Sequence, residues 1–343
     1  MMLHNKKGFI FLIPFLTIVV NCFGQIDSTS VIVEDGYIEK MRDKLAIENS
    51  FNNEYEIFKV KTNGVTYEIS PNIRTNYRIQ LNYKFILAGF QFAPKLFPNN
   101  DDNESKGKTK SFNLKIKFVL THWFATLQYS NIQGYYLKNS SDFTNISENN
   151  FIQFPDLHYT AYEIETGFIQ NSKFSYRSIT SHMERQLKST GSFIPVLKVR
   201  NYMLDDQSAN INTQKSNNLE FTIGPGYAYN FVLKENFYTS VGALVSIGNI
   251  HTKLTTRSAN DNSITYQNNL LTQWQGKLGL GYNGKKFYSG LFATVSDTNY
   301  KQQHTTATNT ETRVFYNLFF GIRINSPKFL KRNVTKIEDK LSL

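Results

Sequence analysis

Strict alternation of apolar and polar side chains is the feature that most limits what this chain can fold into. From Asn76 to Phe85, every odd position is apolar or aromatic and every even position is polar. Because successive side chains of a β-strand point to opposite faces, such a run has one apolar and one polar face. Comparable alternation recurs in the runs 87–97, 112–120, 124–136, 158–170, 193–203, 221–231, 237–248, 274–283, 286–297 and 314–324. The pattern predicts an all-β chain.

The composition excludes two other classes of protein. Of the 343 residues, 40% are hydrophobic, 19% are charged and 15% are aromatic, with 28 Phe and 20 Tyr. A mean hydropathy of −0.39 is too low for a bundle of membrane helices. The many aromatic residues also argue against a disordered chain, which cannot bury enough apolar surface to fold.

The N-terminus is typical of a secretory signal peptide, predicted to span residues 1–24. Two lysines precede the 13-residue apolar core Gly8–Val20, and small residues favour cleavage after Gly24. The apolar core is too short to cross about 30 Å of hydrocarbon as a helix. A lipoprotein signal ending at Cys22 is the alternative. Since Cys22 is the only cysteine, cleavage after Gly24 leaves a mature chain without disulfide or thiol chemistry.

The connectors between the alternating runs are of two kinds. Short connectors at 84–88, 121–123, 171–173, 232–236 and 283–286 alternate with long polar ones at 98–110, 137–157, 205–216 and 251–268. Short periplasmic turns and long external loops are typical of an outer-membrane barrel. The polar run Asn99–Ser105 in the first long connector is not expected to be buried.

These patterns predict a transmembrane antiparallel β-barrel of about twelve strands. Fourteen strands are the alternative. The stretch Phe174–Leu204 holds either one membrane-crossing strand, interrupted by a segment that enters the lumen, or an additional pair of strands. The lead-in contains the weakly helical stretch Ile38–Leu45, and the first strand lies within Tyr55–Ile69, where Asn63-Gly64 favours a tight turn. The predicted organisation is a signal peptide (1–24), a periplasmic lead-in (25–54), the barrel (55–325) and a basic periplasmic tail (326–343).

A soluble β-sandwich or lipocalin-like barrel is the alternative fold, with the apolar faces turned inward. It requires an interior for the apolar faces of about a dozen strands. The export signal and the unequal connectors favour the membrane barrel instead, because exported strands can satisfy their backbone groups in a bilayer only by closing on themselves.

Two sequence elements resemble a known family. The stretch from Phe174-Ser175-Tyr176-Arg177 through Gln186-Leu187-Lys188-Ser189-Thr190-Gly191-Ser192 resembles a motif of a Bacteroidota outer-membrane barrel family catalogued only as a domain of unknown function. Tyr67–Asn72 is similar to that family's opening element. The resemblance spans nearly the whole mature chain. It implies an integral outer-membrane barrel, inserted by the barrel-insertion machinery, and it implies no activity.

The polar faces of the runs predict a charged and mostly basic lumen. The predicted lumen-lining residues are Arg78, Lys115, Lys117, Glu163, Glu165, Arg177, Lys198, Arg200, Arg313 and Arg323. An irregular segment predicts a lumenal constriction formed by Arg185, Gln186, Lys188, Ser189, Gly191 and Ser192. Such a lumen is either filled by salt-bridged side chains or a narrow pore that favours small anionic solutes, since rings of Arg and Lys favour anions. A structural or adhesive barrel is the functional alternative to a pore.

Other chemistry is not expected. Gly279–Gly284 matches a dinucleotide-binding pattern, but it lies inside an alternating strand rather than before a helix. The histidines have no metal-ligand spacing, so no metal or cofactor is predicted. His182 and Ser189 suggest an outer-membrane lipid hydrolase only weakly, and the chain is predicted not to be an enzyme. Although the net charge is +11, the expected partners are outer-membrane lipid and lipopolysaccharide rather than nucleic acid.

Overall fold

The computed structural model describes residues 32–341 except 42, 85, 95, 98–99, 101, 144–149, 211, 260 and 304. The predicted signal peptide therefore lies outside the described residues. The strands are β1 (Ile32–Glu34), β2 (Ile38–Lys40), β3 (Lys44–Thr62), β4 (Val65–Ser70), β5 (Asn76–Tyr83), β6 (Ile86–Phe92), β7 (Lys110–Val119), β8 (Trp123–Leu137), β9 (Gln153–Phe168), β10 (Glu184–Gln186), β11 (Thr190–Phe193), β12 (Val196–Asp206), β13 (Thr213–Gly224), β14 (Gly226–Leu233), β15 (Phe237–Arg257), β16 (Asn262–Asn283), β17 (Phe287–Lys301) and β18 (Thr308–Asn325). The helices are α1 (Asn103–Lys106), α2 (Arg177–Thr180) and α3 (Lys328–Leu341), with a 3-10 turn at Ser140–Asp142. Across the described ranges, no helix is both long enough and apolar enough to cross a membrane.

Ten strands close into an antiparallel ring, which confirms the predicted barrel. Their order is β3, β18, β17, β16, β15, β13, β12, β9, β8 and β4, and β4 returns to β3. The ring closes where the first long strand meets the last one. There β3 and β18 pair from Lys44 opposite Asn325 to Lys61 opposite Thr308. Closure of this kind removes the free strand edges that an open sheet would expose.

Three of the predicted strands, observed as β5, β6 and β7, lie beside the ring rather than in it. Among the described residues, β6 pairs only with β5, and β7 pairs only with β8. β5 pairs with Ala46–Asn52 of β3, whereas β4 pairs with Phe58–Thr62 of the same strand and also contacts β8 at Ile69 and Ser70. The ring has ten strands instead of twelve. The direct β4–β8 contact bypasses β5, β6 and β7, while the single strand predicted within Tyr55–Ile69 corresponds to two ring strands, β3 and β4.

The barrel has two distinct ends. We call the end with the connections 93–109, 138–152 and 207–212 the upper end, and the opposite end, where β3 begins and β18 ends, the lower end. At the lower end, the connection 169–189 between β9 and β11 is much longer than the predicted short turn at 171–173. It contains β10, which pairs with β2 outside the ring. The segment therefore adds no hidden pair of wall strands.

The wall begins earlier in the chain than predicted. β3 starts at Lys44, so part of the predicted lead-in is a wall strand, and the stretch Ile38–Leu45, predicted to be weakly helical, contains β2 and the start of β3. The alternation in β3 is weak because polar residues such as Asn49 and Asn53 interrupt its apolar face. The tight turn is confirmed: Asn63 and Gly64 have φ values of 51° and 81° and join β3 to β4, as a two-residue hairpin requires.

The apolar face of the wall strands points outward. On β18, Leu318 and Phe320 are 53% and 51% exposed, whereas Phe319 between them is 4% exposed. The same alternation on the other strands produces a belt of exposed apolar and aromatic side chains around the barrel. Members of this belt include Phe112, Leu114, Tyr162, Ile164, Phe221, Ile223, Val245, Ile247, Leu270, Leu278 and Leu291.

Two long strands extend past this belt at the upper end. β15 continues to Arg257 and β16 begins at Asn262, so the predicted long loop 251–268 is a paired hairpin with only 258–261 as its connection. Alternation does not reveal these extensions because polar residues such as Thr252 and Lys253 occupy both faces of the strand.

The upper connection 93–109 is partly buried, contrary to expectation. Asn100 is 1% exposed, and its side chain accepts a hydrogen bond from the Thr75 amide at 2.9 Å and donates to the Thr75 carbonyl at 3.0 Å. Partial burial acts to raise the pKa of Asp102, but hydrogen bonds from Lys106 and Asn72 and the Lys106 charge lower it below its ordinary value. A polar run is thus buried where its side chains form hydrogen bonds with one another and with the backbone.

Helix α3 packs against the outside of the wall at the lower end. Its Val334 is buried in a cluster with Leu45 and Tyr83, which lie on the outward faces of β3 and β5. Phe329 on the same helix is 65% exposed. The predicted basic tail therefore contains an amphipathic helix that lies beside the apolar belt.

Close strand packing makes Gly248 sensitive to substitution. A β-carbon at this position would collide with the carbonyl oxygen of Phe221 on the neighbouring strand. We expect Gly248→Ala to lower the free energy of unfolding by about 1–3 kcal/mol, measured by urea unfolding in lipid. Gly276→Ala is the matched control, because the nearest heavy atom to its β-carbon would be a Trp274 ring carbon at 3.8 Å. Equal stability of the two variants would contradict this packing.

Candidate functional site

The inward-facing side chains of the wall form a buried ion-pair network, centred on Arg200. This guanidinium is 1% exposed and donates hydrogen bonds to Glu220 at 3.1 Å, to Glu311 at 2.6 Å and to Glu56 at 3.1 Å. It also lies 4.3 Å from the centre of the Tyr202 ring. Three carboxylates and an aromatic face thus surround one cation that solvent does not reach.

Arg200 joins opposite sides of the barrel. It lies on β12, and Glu220 lies on the adjacent β13, directly opposite in the strand pairing. Glu311 lies on β18, which is five strands from β12 in either direction around the ten-strand ring. The Arg200–Glu311 contact therefore crosses the interior, and no continuous opening passes through this point while it is formed.

A second arginine extends the network across the interior. Arg313 on β18 donates to Glu163 on β9 at 2.8 Å and to Glu311 at 2.8 Å. Lys198 lies 3.4 Å from Glu220 on the far side. We refer to these groups together as the interior network: Glu56, Glu163, Lys198, Arg200, Glu220, Glu311 and Arg313.

The interior is less basic than the sequence analysis predicts. Three cations of the interior network face four carboxylates, of which only Glu163 was among the predicted lumen residues. Glu56 was missed because it lies near the boundary drawn between lead-in and barrel. Glu220 is an even-numbered residue and Glu311 an odd-numbered one, like the other residues on the polar faces of their strands. Applying the alternation to every charged residue would therefore have identified both.

Apolar layers lie above and below the interior network. The upper layer is a buried cluster that includes Tyr135, Tyr159, Tyr202, Ile250 and Leu271. The lower layer is formed by two clusters, one around Phe124, Phe174 and Tyr176 and the other around Met183, Tyr288 and Phe319. The charges are therefore enclosed within the barrel by well-packed side chains.

The lower layer includes a chain segment that we call the plug segment, Phe174–Gln186. Wall side chains hold its backbone: Asn82 donates to the Ser181 carbonyl at 2.9 Å, and Arg323 donates through Nε to the His182 carbonyl at 2.8 Å. Asn283 donates to the Glu184 carbonyl at 3.2 Å. These three wall residues lie on β5, β18 and β16, so several strands on one side of the lower end hold the plug segment.

A buried ion pair ties the plug segment to the N-terminal strands. Arg185 is 3% exposed and pairs with Glu39 of β2. It also donates to the Asn283 carbonyl at 2.7 Å and to the Asn236 side chain at 2.6 Å. Because β10 pairs with β2 at this point, the chain before the barrel and the connection 169–189 close the lower end together.

The six predicted constriction residues separate into three groups. Arg185 and Gln186 are buried in the plug segment, whereas Lys188 and Ser189 are exposed at the lower end. Gly191 and Ser192 lie on β11, paired with β14. The structure does not bring the six together.

The remaining predicted lumen residues lie near the interior network or below it. Lys115 pairs with Glu54 at 3.2 Å, and Arg78 donates to the Gln91 side chain at 3.0 Å. Lys117 lies 5.7 Å from the centre of the Tyr176 ring. Arg177 of the plug segment donates to Glu184 at 3.2 Å, and Glu165 lies opposite Lys198 in the β9–β12 pairing.

The weakly suggested hydrolase pair does not form. The His182 ring packs between Tyr288 and Phe319, with ring centres 4.5 Å away in both cases, and its Nδ1 lies 3.2 Å from Glu48. Ser189 instead donates to the Val232 carbonyl. No cluster of three or more His, Cys, Asp or Glu that could hold a metal occurs in the ranges described, and the lack of a cofactor stays a prediction.

Loss of the central cation should destabilise the barrel strongly. We expect Arg200→Met to lower the free energy of unfolding by about 3–5 kcal/mol, because the variant leaves buried carboxylates without their partner. The measurement is urea unfolding of the refolded protein in lipid. Lys59→Met is the control, since the Lys59–Glu68 pair is partly exposed and should contribute about 1 kcal/mol or less. Similar losses in both variants would show that the interior network is not the stabilising unit.

Several solved outer-membrane barrels are similar to this chain, all at low identity. The outer membrane protease OmpT from Escherichia coli is 6% identical, with 83% of this chain and 98% of that chain covered and a TM-score of 0.40. The translocator domain of autotransporter NalP from Neisseria meningitidis is 5% identical, with 90% and 94% covered and a TM-score of 0.27. The attachment invasion locus protein Ail of Yersinia pestis is 10% identical, with 81% and 99% covered and a TM-score of 0.18.

None of these similarities assigns an activity to this chain. No curated protein matches its sequence. The family described as "Domain of unknown function (DUF4421)" matches residues 26–323, and this chain belongs to that family.

Proposed function

We propose that this protein is an outer-membrane β-barrel with a closed interior, which anchors its upper connections at the cell surface and does not conduct solutes. The belt of exposed apolar side chains supports membrane insertion, because such a surface around a whole barrel is unfavourable in water. A closed ring also satisfies the backbone groups of strands in hydrocarbon.

The proposed orientation has the lower end in the periplasm. Short turns such as 234–236 and 284–286 are located there, as are the first strands and the last helix. The N-terminal 24 residues would be removed on export, after which the barrel-insertion machinery would insert the chain. Lipopolysaccharide would then surround the upper half, and the polar strand extensions would project beyond it.

The contact of Arg200 with Glu311 across the ring is the observation on which the closed interior rests. Opening a passage would separate buried charges, and breaking a buried pair costs about 3–5 kcal/mol. A cavity of about 30 Å³ lies beside the interior network, between Glu54, Asn113 and Arg313, which is space for about one water molecule. The four carboxylates also oppose the passage of anions, which makes an anion-favouring pore the weaker candidate.

Single-channel recording tests this proposal. We expect the refolded, heat-modifiable protein to give no conductance steps in planar bilayers. A combined variant, Arg200→Gly with the plug segment replaced by Gly and Ser of equal length, should give small discrete steps, since both obstructions are then reduced.

The recordings have a clear opposing outcome. Discrete steps with anion preference from the unmodified chain would overturn the closed interior and would support the narrow pore. The Gly248→Ala variant serves as a control for leakage caused by lower stability alone, because it alters neither the interior network nor the plug segment.

A further inference from the structure

The wall has a lateral seam on one side of its lower half. We define the seam as the gap between β6 and β7, two of the short strands that lie beside the ring. No backbone pairing joins them in the described part of the chain, although each pairs with its other neighbour. In hydrocarbon, unpaired backbone groups on such edges cost several kcal/mol each. A bound group that accepts hydrogen bonds would reduce this cost.

Polar side chains behind the seam are accessible, unlike those at the centre of the interior network. The side chains of Lys115 and Glu54 are each 36% exposed, whereas those of Arg200 and Glu220 are each 1% exposed. Lys115 and Arg200 belong to one row of paired residues, which the strand pairings connect through Gln128 and Glu163. The upper apolar layer and the plug segment close the ends of the barrel, so the seam is the route by which solvent reaches Lys115.

The group behind the seam has three cations against two carboxylates that act on them, Glu54 and Glu48, so it keeps a net positive charge. Arg78, Lys115 and Lys117 face inward on β5 and β7. In the described part of the chain, Glu54 is the one carboxylate that hydrogen-bonds any of these three cations. Arg78 is bonded to the neutral Gln91, and Lys117 lies over a tyrosine ring. Such a group attracts a phosphate, which accepts several charge-assisted hydrogen bonds.

The outer rim of the seam is apolar. Phe90 and Phe92 on β6 are 69% and 46% exposed, and Phe112, Leu114 and Phe118 on β7 are 58%, 51% and 43% exposed. A ligand with a phosphate head and hydrocarbon chains would place the head at Lys115 and leave its chains against these rings. The cavity beside Glu54, the partner of Lys115, is only about 30 Å³, so the head would lie at the mouth of the seam rather than in the barrel centre.

We propose that the seam between β6 and β7 binds one phospholipid, with its anionic headgroup held by Arg78, Lys115 and Lys117. The seam lies in the lower half of the wall, so the proposed orientation places it in the periplasmic leaflet, where the phosphate-bearing lipid is a glycerophospholipid. A second copy of this chain could instead pair with the free strand edges, but a strand edge would bring no anion to Arg78 and Lys117. The lipid therefore fits the charge of the site better than a protein strand does.

Native mass spectrometry tests the proposal directly. The protein is reconstituted in vesicles of phosphatidylethanolamine and phosphatidylglycerol, released in mild detergent and weighed with its bound lipid. We expect one phospholipid retained per barrel. In the double variant Lys115→Gln and Lys117→Gln, retention should fall about tenfold or more, since two charges near the headgroup are lost. Lys59→Gln, a lysine of β3 away from the seam, should retain lipid as the unmodified chain does.

A second variant keeps the test decisive if the double variant does not fold. Asn113→Phe places a large side chain two residues from Lys115 on the same face of β7 without changing charge, and it should also lose the lipid. Equal retention in properly folded variants would overturn the proposal. So would binding of added inorganic phosphate without lipid, or a dimer without bound lipid. Lipid retention is independent of conductance, so this proposal and that of the closed interior can fail separately.

Discussion

Backbone hydrogen bonding in hydrocarbon is the constraint on which the rest of this structure depends. Every wall strand must pair on both sides, which forces the chain to return and join its last strand to its first. The β3–β18 pairing meets this requirement over the full length of both strands. It also explains why the wall begins at Lys44: the last strand needs a partner that reaches the lower end, and a strand starting at residue 55 would leave half of β18 unpaired.

Closure of the ring then determines what the interior can contain. A ring of ten strands leaves room for side chains but little for solvent, so inward-facing charges must satisfy one another. Arg200 and Arg313 do this by contacting carboxylates on distant strands. Burying charges costs free energy, so a network of this kind is weak evidence for net stability. Removing one partner nevertheless leaves a buried charge unpaired and lowers the stability strongly. The network therefore favours one arrangement of the wall over others.

The sequence predicts the wall well and the interior only in part. Alternation identifies the outward face of nearly every strand because lipid requires an apolar side chain at each outward position. It fails where that requirement is absent: in β3, whose outward face contains Asn49 and Asn53, and beyond the belt in β15 and β16. The plug segment could be recognised as irregular, but its position could not be predicted. That position depends on contacts with Asn82, Asn283 and Arg323, which are distant in the chain.

Both closures of the barrel, the interior network and the plug segment, can be completed only at the end of wall assembly. The interior network and the plug contacts need side chains from β3, β5, β16 and β18, so neither is complete until the last strand is in place. The plug segment lies between β9 and β11 in the chain, yet its carbonyl at His182 is bonded by Arg323, two residues before the end of the wall. Closure of the wall and sealing of the lower end are therefore coupled. A barrel that lacks β18 would lack both the final wall pairing and this seal.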